Sequence, residues 1–466
     1  MRNERLLILG NGGAALCAAR AARASGHPGE IHLVSDVEGP AFNPMLAPYF
    51  LKGALPWERC FPFGPGFYGA HEITPHFGAA VECLDTENRE ATLATGERLS
   101  YDRCLVATGA GPIVPPVPGL KGSNRAFCLR TAASARQLEE AIPSARSALV
   151  LGASFVGLKI AEILTRRRIR VILSDWADQV LPGGAHAASA AAIQALFERH
   201  GVDVRLGCAM EGMEGAGKGV VCHFTDSVLV EADLVVVCTG VKPHIDFLDP
   251  MHVRTDQGAL VDERQETSAP GLYAAGDASQ GINITSRRHE WLATWENACL
   301  QGRVAGTNMA GKGACYPGSL PQNIGPFFEW TYAQIGDVKG DVKGDVRGDV
   351  RGDGHSVVHR FFGSPSEGRQ LALAFRDDVL VGANLINCAH LAGTLRRAIL
   401  QGWRREGWVR DVLTMEGLEK ALNAAAGDFR SRSGMSASSD AFTVTTSFEE
   451  IGPPWTTRGR TIGGTR

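Results

Sequence analysis

The chain lacks the features that mark several common protein classes. Its 466 residues carry a formal net charge of only −3, from 47 basic and 50 acidic side chains, and neither half is strongly basic. A nucleic-acid backbone, whose binding rests on concentrated Lys and Arg, is therefore not an expected partner. No apolar run approaches the ~18–20 residues that cross a bilayer. Arg2 and Arg5 precede the apolar stretch 6–9, but that stretch is too short for a signal peptide and runs straight into Gly10-Asn11-Gly12-Gly13. The 11 cysteines include no Cys-x-x-Cys pair. Structural zinc and a disulfide framework both lose support, no metal site is expected, and the cytoplasm is the default compartment.

Glycine, by contrast, is abundant. The 56 residues exceed the number expected at ~7% usage, and the surplus falls in loops that matter. With 44% hydrophobic and 21% charged residues there is ample core material, and the length suggests about three domains at ~150 residues each.

Residues 5–36 read as a strand–turn–helix–strand unit. Arg5–Leu9 is a short buried strand, Gly10-Asn11-Gly12-Gly13-Ala14-Ala15 a G-x-G-x-x-A turn, Ala14–Ser25 a helix ended by Gly26, and Glu30–Val34 the second strand. The first glycine makes the tight turn, the second lets the backbone approach a diphosphate, and the small Ala15 lets helix and strand pack closely. The helix N-terminus offers free N–H groups to phosphate oxygens. Asp36, with Glu38 as its competitor, stands where an acid binds an adenosine ribose.

The pattern recurs at 147–175: strand Ser147–Leu151, turn Gly152-Ala153-Ser154-Phe155-Val156-Gly157, helix Leu158–Arg168, strand Ile169–Leu173, and Asp175. Ser154 replaces the second glycine, putting a Cβ where a diphosphate must come close, which weakens the site without excluding it. Asp175 is followed by Trp176 rather than an arginine. An acid accepts from a free 2′-hydroxyl and repels a 2′-phosphate, so NADH is expected over NADPH. Arg166-Arg167-Arg168 complicates this, although cations also suit a helix C-terminus. Two dinucleotide folds in one chain imply a donor and an acceptor held face to face.

Three further segments carry a resemblance. Cys104-Leu105-Val106-Ala107-Thr108-Gly109, with Pro112 and Pro115, looks like the crossover that leaves an FAD domain. Leu234-Val235-Val236-Val237-Cys238-Thr239-Gly240, with Lys242-Pro243, looks like the exit from an inserted NAD domain. Thr267-Ser268-Ala269-Pro270-Gly271-Leu272-Tyr273-Ala274-Ala275-Gly276-Asp277 is similar to a second FAD motif. Together they resemble the pyridine nucleotide–disulfide oxidoreductase superfamily, nearest its ferredoxin- and rubredoxin-reductase-like branch, strongly over about residues 5–310 and more loosely over 318–403.

The resemblance implies an α/β fold of two nested Rossmann-like, three-layer domains plus a C-terminal α+β domain. The expected divisions are 1–113 and 244–318 for FAD, 114–243 for NAD(P), 319–426 for the C-terminal domain, and a disordered tail over 427–466. It further implies FAD contacts from Gly10, Gly12, Gly13, Ala14, Ala15, Asp36, Pro44, Thr108, Gly109, Gly276, Asp277, Trp295 and Asn297, with Asp277 on the ribityl chain. NAD contacts are implied for Gly152, Ser154, Phe155, Val156, Gly157, Asp175, Thr239 and Gly240.

Departures from the family pattern narrow the chemistry. The Cys-x4-Cys pair of disulfide reductases is missing: only Cys17 stands on the helix after the first turn. Aligning Pro48-Tyr49-Phe50 with the segment that follows the single redox cysteine of other relatives puts Met45 where that thiol should be. A thioether forms neither thiolate nor mixed disulfide, so the flavin is expected to be the redox centre and the other cysteines small buried apolar residues. In ferredoxin reductases a lysine near the flavin pairs with the glutamate of a Gly-Leu-Glu motif. Here Asn43, Ala47 and Pro48 replace the arginine, serine and lysine of the first stretch, and Lys159 replaces the glutamate. Lys159 is therefore expected to supply the cation beside the flavin, with a solvated helix lysine as the alternative. Trp295, in a matching Trp-x-Asn-Ala-x-x-Gln-Gly stretch, is expected to pack beside the flavin ring, with a place in an ordinary core as the alternative.

Beyond 319, Arg369–Phe375 and Val379–Leu385 read as a hairpin around Arg376-Asp377-Asp378, followed by a helix over Leu391–Gln401. In rubredoxin-reductase-like enzymes such a domain is often a dimerisation surface. Residues 336–354 repeat Gly-Asp-Val-Lys/Arg with period four, which suits a solvated loop.

The expected activity is electron transfer from NADH through flavin to a small iron–sulfur carrier or a partner oxidoreductase subunit. Arg287, Arg288 and Arg303 are candidates for docking it. Two alternatives stay open: an oxidase or dehydrogenase acting on oxygen or a small molecule in a pocket shaped by Met45, Tyr49 and Trp295, and a flavin-bearing scaffold with a weak NAD site.

Overall fold

A computed structural model describes residues 4–339, 357–407, 409, 412 and 414–432. Among the helices of the described residues, those that bear on the site are α1 (Gly13–Ala24), α2 (Ala47–Leu51), α3 (Phe155–Arg166), α4 (Trp295–Met309) and α5 (Ala392–Leu400).

The first sheet is five-stranded and all parallel, in spatial order 272–274, 103–106, 6–9, 31–35, 73–77. Both faces of a parallel sheet are covered, so its central strands read as continuous aliphatic runs, while the edge strand 73–77 is more polar and more exposed. Leu6–Leu9 is buried at every position. On one face α1 packs against α4, closely enough that a Cβ at Gly302 would come within 2.1 Å of the Ala14 carbonyl oxygen. The second sheet repeats the design in the order 203–205, 170–174, 147–151, 234–237, 126–128.

The chain passes between these units twice, side by side. Ala110–Pro112 pairs antiparallel with Val241–Pro243. The His244 amide donates to Gly109 O at 3.0 Å, and the Ile113 amide to Gly240 O at 2.9 Å. This is the nested, doubly wound α/β arrangement the motifs imply.

The C-terminal sheet is five-stranded and antiparallel, in the order 322–327, 330–336, 379–386, 369–376, 357–364. Its central hairpin turns through Asp377 and Asp378, at φ of 51° and 64°, the left-handed pair that a two-residue turn matching strand twist requires. Leu395, Ala398 and Ile399 of α5 close the core beneath Leu371, Leu373 and Leu385. Asn384 ties this sheet to the second unit, accepting from the His186 amide at 2.7 Å and donating to Gly184 O at 3.2 Å.

Element boundaries differ from the sequence expectation by a few residues. The second fingerprint helix begins at Phe155 rather than Leu158, because Ser154 caps it. The last helix, Met415–Arg432, runs past 426, where a tail was expected to begin. The repeat from 340 to 354 and the tail from 433 lie outside the described residues.

Candidate active site

The first glycine turn has the geometry a diphosphate needs. Gly10 sits at φ +119°, and a Cβ there would lie 2.0 Å from the Ala107 carbonyl oxygen, so the strand end and the crossover leave room for glycine alone. Gly12 meets nothing within 4 Å. It caps α1 without any side-chain hydrogen bond, which leaves the first N–H groups of the helix facing that space. Asp36 and Glu38 are both exposed at the end of the neighbouring strand.

A second set of groups converges on this turn. Gly276 fits against the Cβ atoms of Ala14 and Ala298, and its amide donates to Gln301 Oε1 at 2.8 Å. Asn297 is buried at the start of α4, and its Oδ1 accepts from the Tyr316 hydroxyl at 3.0 Å. Its Nδ2 is buried with no hydrogen-bond partner among the described residues, a donor available to a bound group. The indole of Trp295 lies against Gly13 at the N-terminus of α1, so its observed neighbour is the diphosphate turn. Pro44 opens a short 3₁₀ turn whose cap is Asn43, accepting from the Met45 amide at 3.0 Å; Asn43 thus replaces a family arginine with a backbone anchor. Asp277 faces Arg130 of the second unit at 2.5 Å, and Arg130 also donates to Ala110 O at 2.8 Å. Thr108 donates to His244 O at 2.5 Å, and Gly109 adopts φ +71°.

In the second turn Gly152 has φ +110°, and a Cβ at Gly157 would meet the Gly152 carbonyl at 1.9 Å, so helix and strand touch. Ser154 keeps its Cβ at this turn but commits its hydroxyl to the protein. Its hydroxyl turns inward, donating to Cys238 O at 3.1 Å and accepting from the Gly157 amide at 3.3 Å. Asp175 is buried, with Oδ2 accepting from the Ala153 amide at 2.6 Å and Oδ1 from the Ala177 amide at 2.9 Å. A carboxylate has about four acceptor positions, so ribose can still be received. Trp176 beside it is 69% exposed and Val156 is exposed as well. Thr239 donates to Ile113 O at 2.8 Å, next to Gly240 at φ +113°.

Lys159 does not stand free. It is buried, its amine donates to Pro326 O in the C-terminal sheet, and the rings of Tyr49, Phe155 and Phe327 surround it with centroids at 5.9, 5.7 and 5.0 Å. Burial pushes its pKa down to about 8, partly opposed by Glu162. The cation expected to serve the flavin is thus engaged as an interdomain clamp. The Lys–Glu pair itself returns one helical turn along both elements: Lys52 follows Pro48 by four residues, Glu162 follows Lys159 by three, and they meet at 3.0 Å. Glu162 is fully buried and also accepts from Arg166 at 2.8 Å. That ion pair, with Arg167 donating to Leu51 O, ties two members of the 166–168 run to the protein rather than to solvent alone. The cleft beside Lys52, Lys159 and Glu162 has room for about 10 Å³, close to one water.

Met45 is exposed, Tyr49 faces Lys159 and Trp295 faces Gly13. Arg287 and Arg288 are exposed, whereas Arg303 is half-buried and its charge acts on Cys17. The cysteines divide too. Cys83 and Cys315 are exposed, contrary to the expectation of uniform burial.

A pyridine nucleotide-disulphide oxidoreductase family matches residues 4–302, both fingerprints and the crossover included. The chain belongs to that family. It is an FAD-dependent NAD(P)H oxidoreductase. It is 31% identical to the NADH-dependent phenylglyoxylate dehydrogenase subunit epsilon of Aromatoleum evansii, over 86% of this chain and 92% of the relative. With the biphenyl dioxygenase system ferredoxin–NAD(+) reductase component of Paraburkholderia xenovorans it shares 30% identity over 66% of this chain and 74% of the relative. The reductase in a covalent putidaredoxin reductase–putidaredoxin complex superposes with a TM-score of 0.81 at 24% identity, covering 91% of this chain and 99% of that one. No helix among the described residues is long and apolar enough to cross a membrane.

Sequence reasoning missed Arg130, and it missed the Lys52–Glu162 pair. The pair had a signal, since Pro48 and Lys159 depart from the family pattern together and each has a residue of the missing type one turn on. Arg130 offered none, because its partner lies 147 residues away.

Proposed function

We propose that this oxidoreductase takes electrons from NADH and passes them to an iron–sulfur partner, either a small ferredoxin-type carrier or another subunit of a larger enzyme. The reading is supported by the likeness to an NADH-dependent dehydrogenase subunit over 86% of this chain and 92% of that one, and, for the iron–sulfur partner, by the likeness to a ferredoxin–NAD(+) reductase component. Bound FAD supplies acceptance of an electron pair and its release one electron at a time, which a nicotinamide alone does not provide.

The protein's part is to bind and orient. Gly10, Gly12, Gly13, Ala14 and Ala15 would hold the FAD diphosphate at the N-terminus of α1, with Asp36 toward the adenosine ribose. The Asn297 Nδ2, which has no partner among the described residues, would donate to the cofactor near Gly276 and Asp277, with Pro44, Thr108, Gly109 and Trp295 lining its surroundings. Gly152, Ser154, Phe155, Val156 and Gly157 would hold the nicotinamide nucleotide, with Thr239 and Gly240 at its far side. Asp175, followed by Trp176 in place of a cation, favours a free 2′-hydroxyl and hence NADH. Lys159 acts as a clamp between units rather than a catalytic group. The compartment we propose is the cytoplasm.

Anaerobic titration of the yellow protein with NADH and NADPH tests this. Fast bleaching by NADH, with steady turnover to a ferredoxin exceeding turnover to dioxygen, supports the reading. Preferred turnover with dioxygen moves it to an oxidase, and failure to bleach with either nucleotide leaves a scaffold.

A further inference from the structure

The helices that frame the first glycine turn bring two cysteines, Cys17 and Cys299, onto one interface. α1 and α4 run in the same direction, and their register follows from two contacts: Gly302 lies on Ala14, and Gly306 on Ala18 one turn later, at hypothetical Cβ–O separations of 2.1 and 2.0 Å. Gly13 therefore faces residues 295 and 299, with a hypothetical Cβ 3.0 Å from both the Trp295 ring and Cys299 Sγ. One turn on, Cys17 falls between Cys299 and Arg303. There the Cys299 thiol and the Arg20 guanidinium both donate toward the Cys17 sulfur, and Arg303 adds its charge.

We propose that Cys17 and Cys299 form a peroxide-oxidisable dithiol that closes to a disulfide between α1 and α4. The site lies outside the flavin chemistry and takes a small hydroperoxide as co-reactant. The two thiols are unequal. The hydrogen bond from Cys299, then Arg20 and Arg303, hold the Cys17 thiol below its ordinary range despite burial, while the same contact and burial raise Cys299. Thiolate is the nucleophilic form, so Cys17 attacks and Cys299 resolves. The Cys17 thiolate attacks one peroxide oxygen, the O–O bond breaks, and the hydroxide that leaves is protonated to water. Cys17, oxidised by two electrons, is now a sulfenic acid. The Cys299 sulfur then attacks Cys17, the S–S bond forms, the S–O bond breaks, and hydroxide departs with the Cys299 proton as a second water. Two thiols and one hydrogen peroxide thus give one disulfide and two waters. Cys299 is partly exposed, which gives a small oxidant a way in.

The test uses the FAD-loaded full chain, treated with hydrogen peroxide near neutral pH and mapped as non-reduced peptides. The expected result is a linked Cys17–Cys299 peptide that forms at least about threefold faster than oxidation of the exposed Cys83 and Cys315. In Cys299→Ser the chemistry should stop at a sulfenic acid on Cys17, trapped by dimedone, and in Cys17→Ser residue 299 should stay reduced. The proposal is overturned if Cys83 and Cys315 react first while Cys17 and Cys299 are recovered as thiols, or if Cys17→Ser leaves Cys299 oxidised at the wild-type rate.

Discussion

Two glycines in the first turn do different jobs, and substitution separates them. At Gly10 the positive φ and the Ala107 carbonyl 2.0 Å from a Cβ oppose any side chain, so Gly10→Ala should destabilise the whole fold by roughly 2 kcal/mol or more, read as a lowered unfolding midpoint. At Gly12 there is open space and ordinary backbone geometry. Gly12→Val should keep the melting temperature of the apoprotein and weaken FAD retention at least about tenfold, measured by flavin absorbance after dialysis. Lys159 offers a prediction of a different kind. Its folded pKa of about 8 lies below the ordinary lysine value. Between the two the unfolded chain holds the proton that the folded chain has lost, so stability rises with pH across that window. Thermal melts of wild type and Lys159→Met from pH 7.5 to 10 should show the difference moving in favour of wild type as pH rises, and a flat difference would contradict the assignment. The glycines were legible in the sequence because a tight turn admits few alternatives. The Lys159 amine was not, because its acceptor is a backbone carbonyl 167 residues away.

Among the elements, the central strands 6–9, 147–151 and 234–237 were readable as unbroken aliphatic runs, and the C-terminal hairpin as two runs around a charged turn, whereas the edge strands 73–77, 126–128 and 203–205 carry polar or short sequences and were not. Helix starts were harder. In the sequence Ser154 looks like an obstacle to a ligand, but in the fold it is a cap that holds the Cys238 carbonyl and the Gly157 amide. Ser154→Ala should therefore cost about 1 kcal/mol of stability, with the NADH KM moving less than about threefold because the hydroxyl is engaged by Cys238 O and the Gly157 amide. The pairing of Arg130 with Asp277 joins the two nucleotide units. A double-mutant cycle on Arg130→Ala and Asp277→Ala should give a coupling of roughly 1–3 kcal/mol, since each single change strands a half-buried charge and the double change strands none. Additive effects within error would mean the contact carries no stability.

At the scale of the molecule, the order of motifs along the chain specified the nesting, because a fingerprint interrupted by a second fingerprint and then completed has few three-dimensional solutions. Partner and acceptor were not legible: they depend on surfaces, and exposed charges such as Arg287 and Arg288 carry no periodicity that distinguishes docking from solvation. Steady-state kinetics should give kcat/KM for NADH at least about tenfold above that for NADPH, because a 2′-phosphate beside buried Asp175 meets like charge rather than a guanidinium.

The paired passages at 110–112 and 241–243 make the inserted unit a detachable one. Its two ends emerge as neighbours, with the His244 amide already bonded to the Gly109 carbonyl at 3.0 Å, so a few glycines spliced between those residues would span the gap left by its removal. Evolution or an engineer could swap that cassette for another nucleotide-recognising insert without redrawing the host sheet.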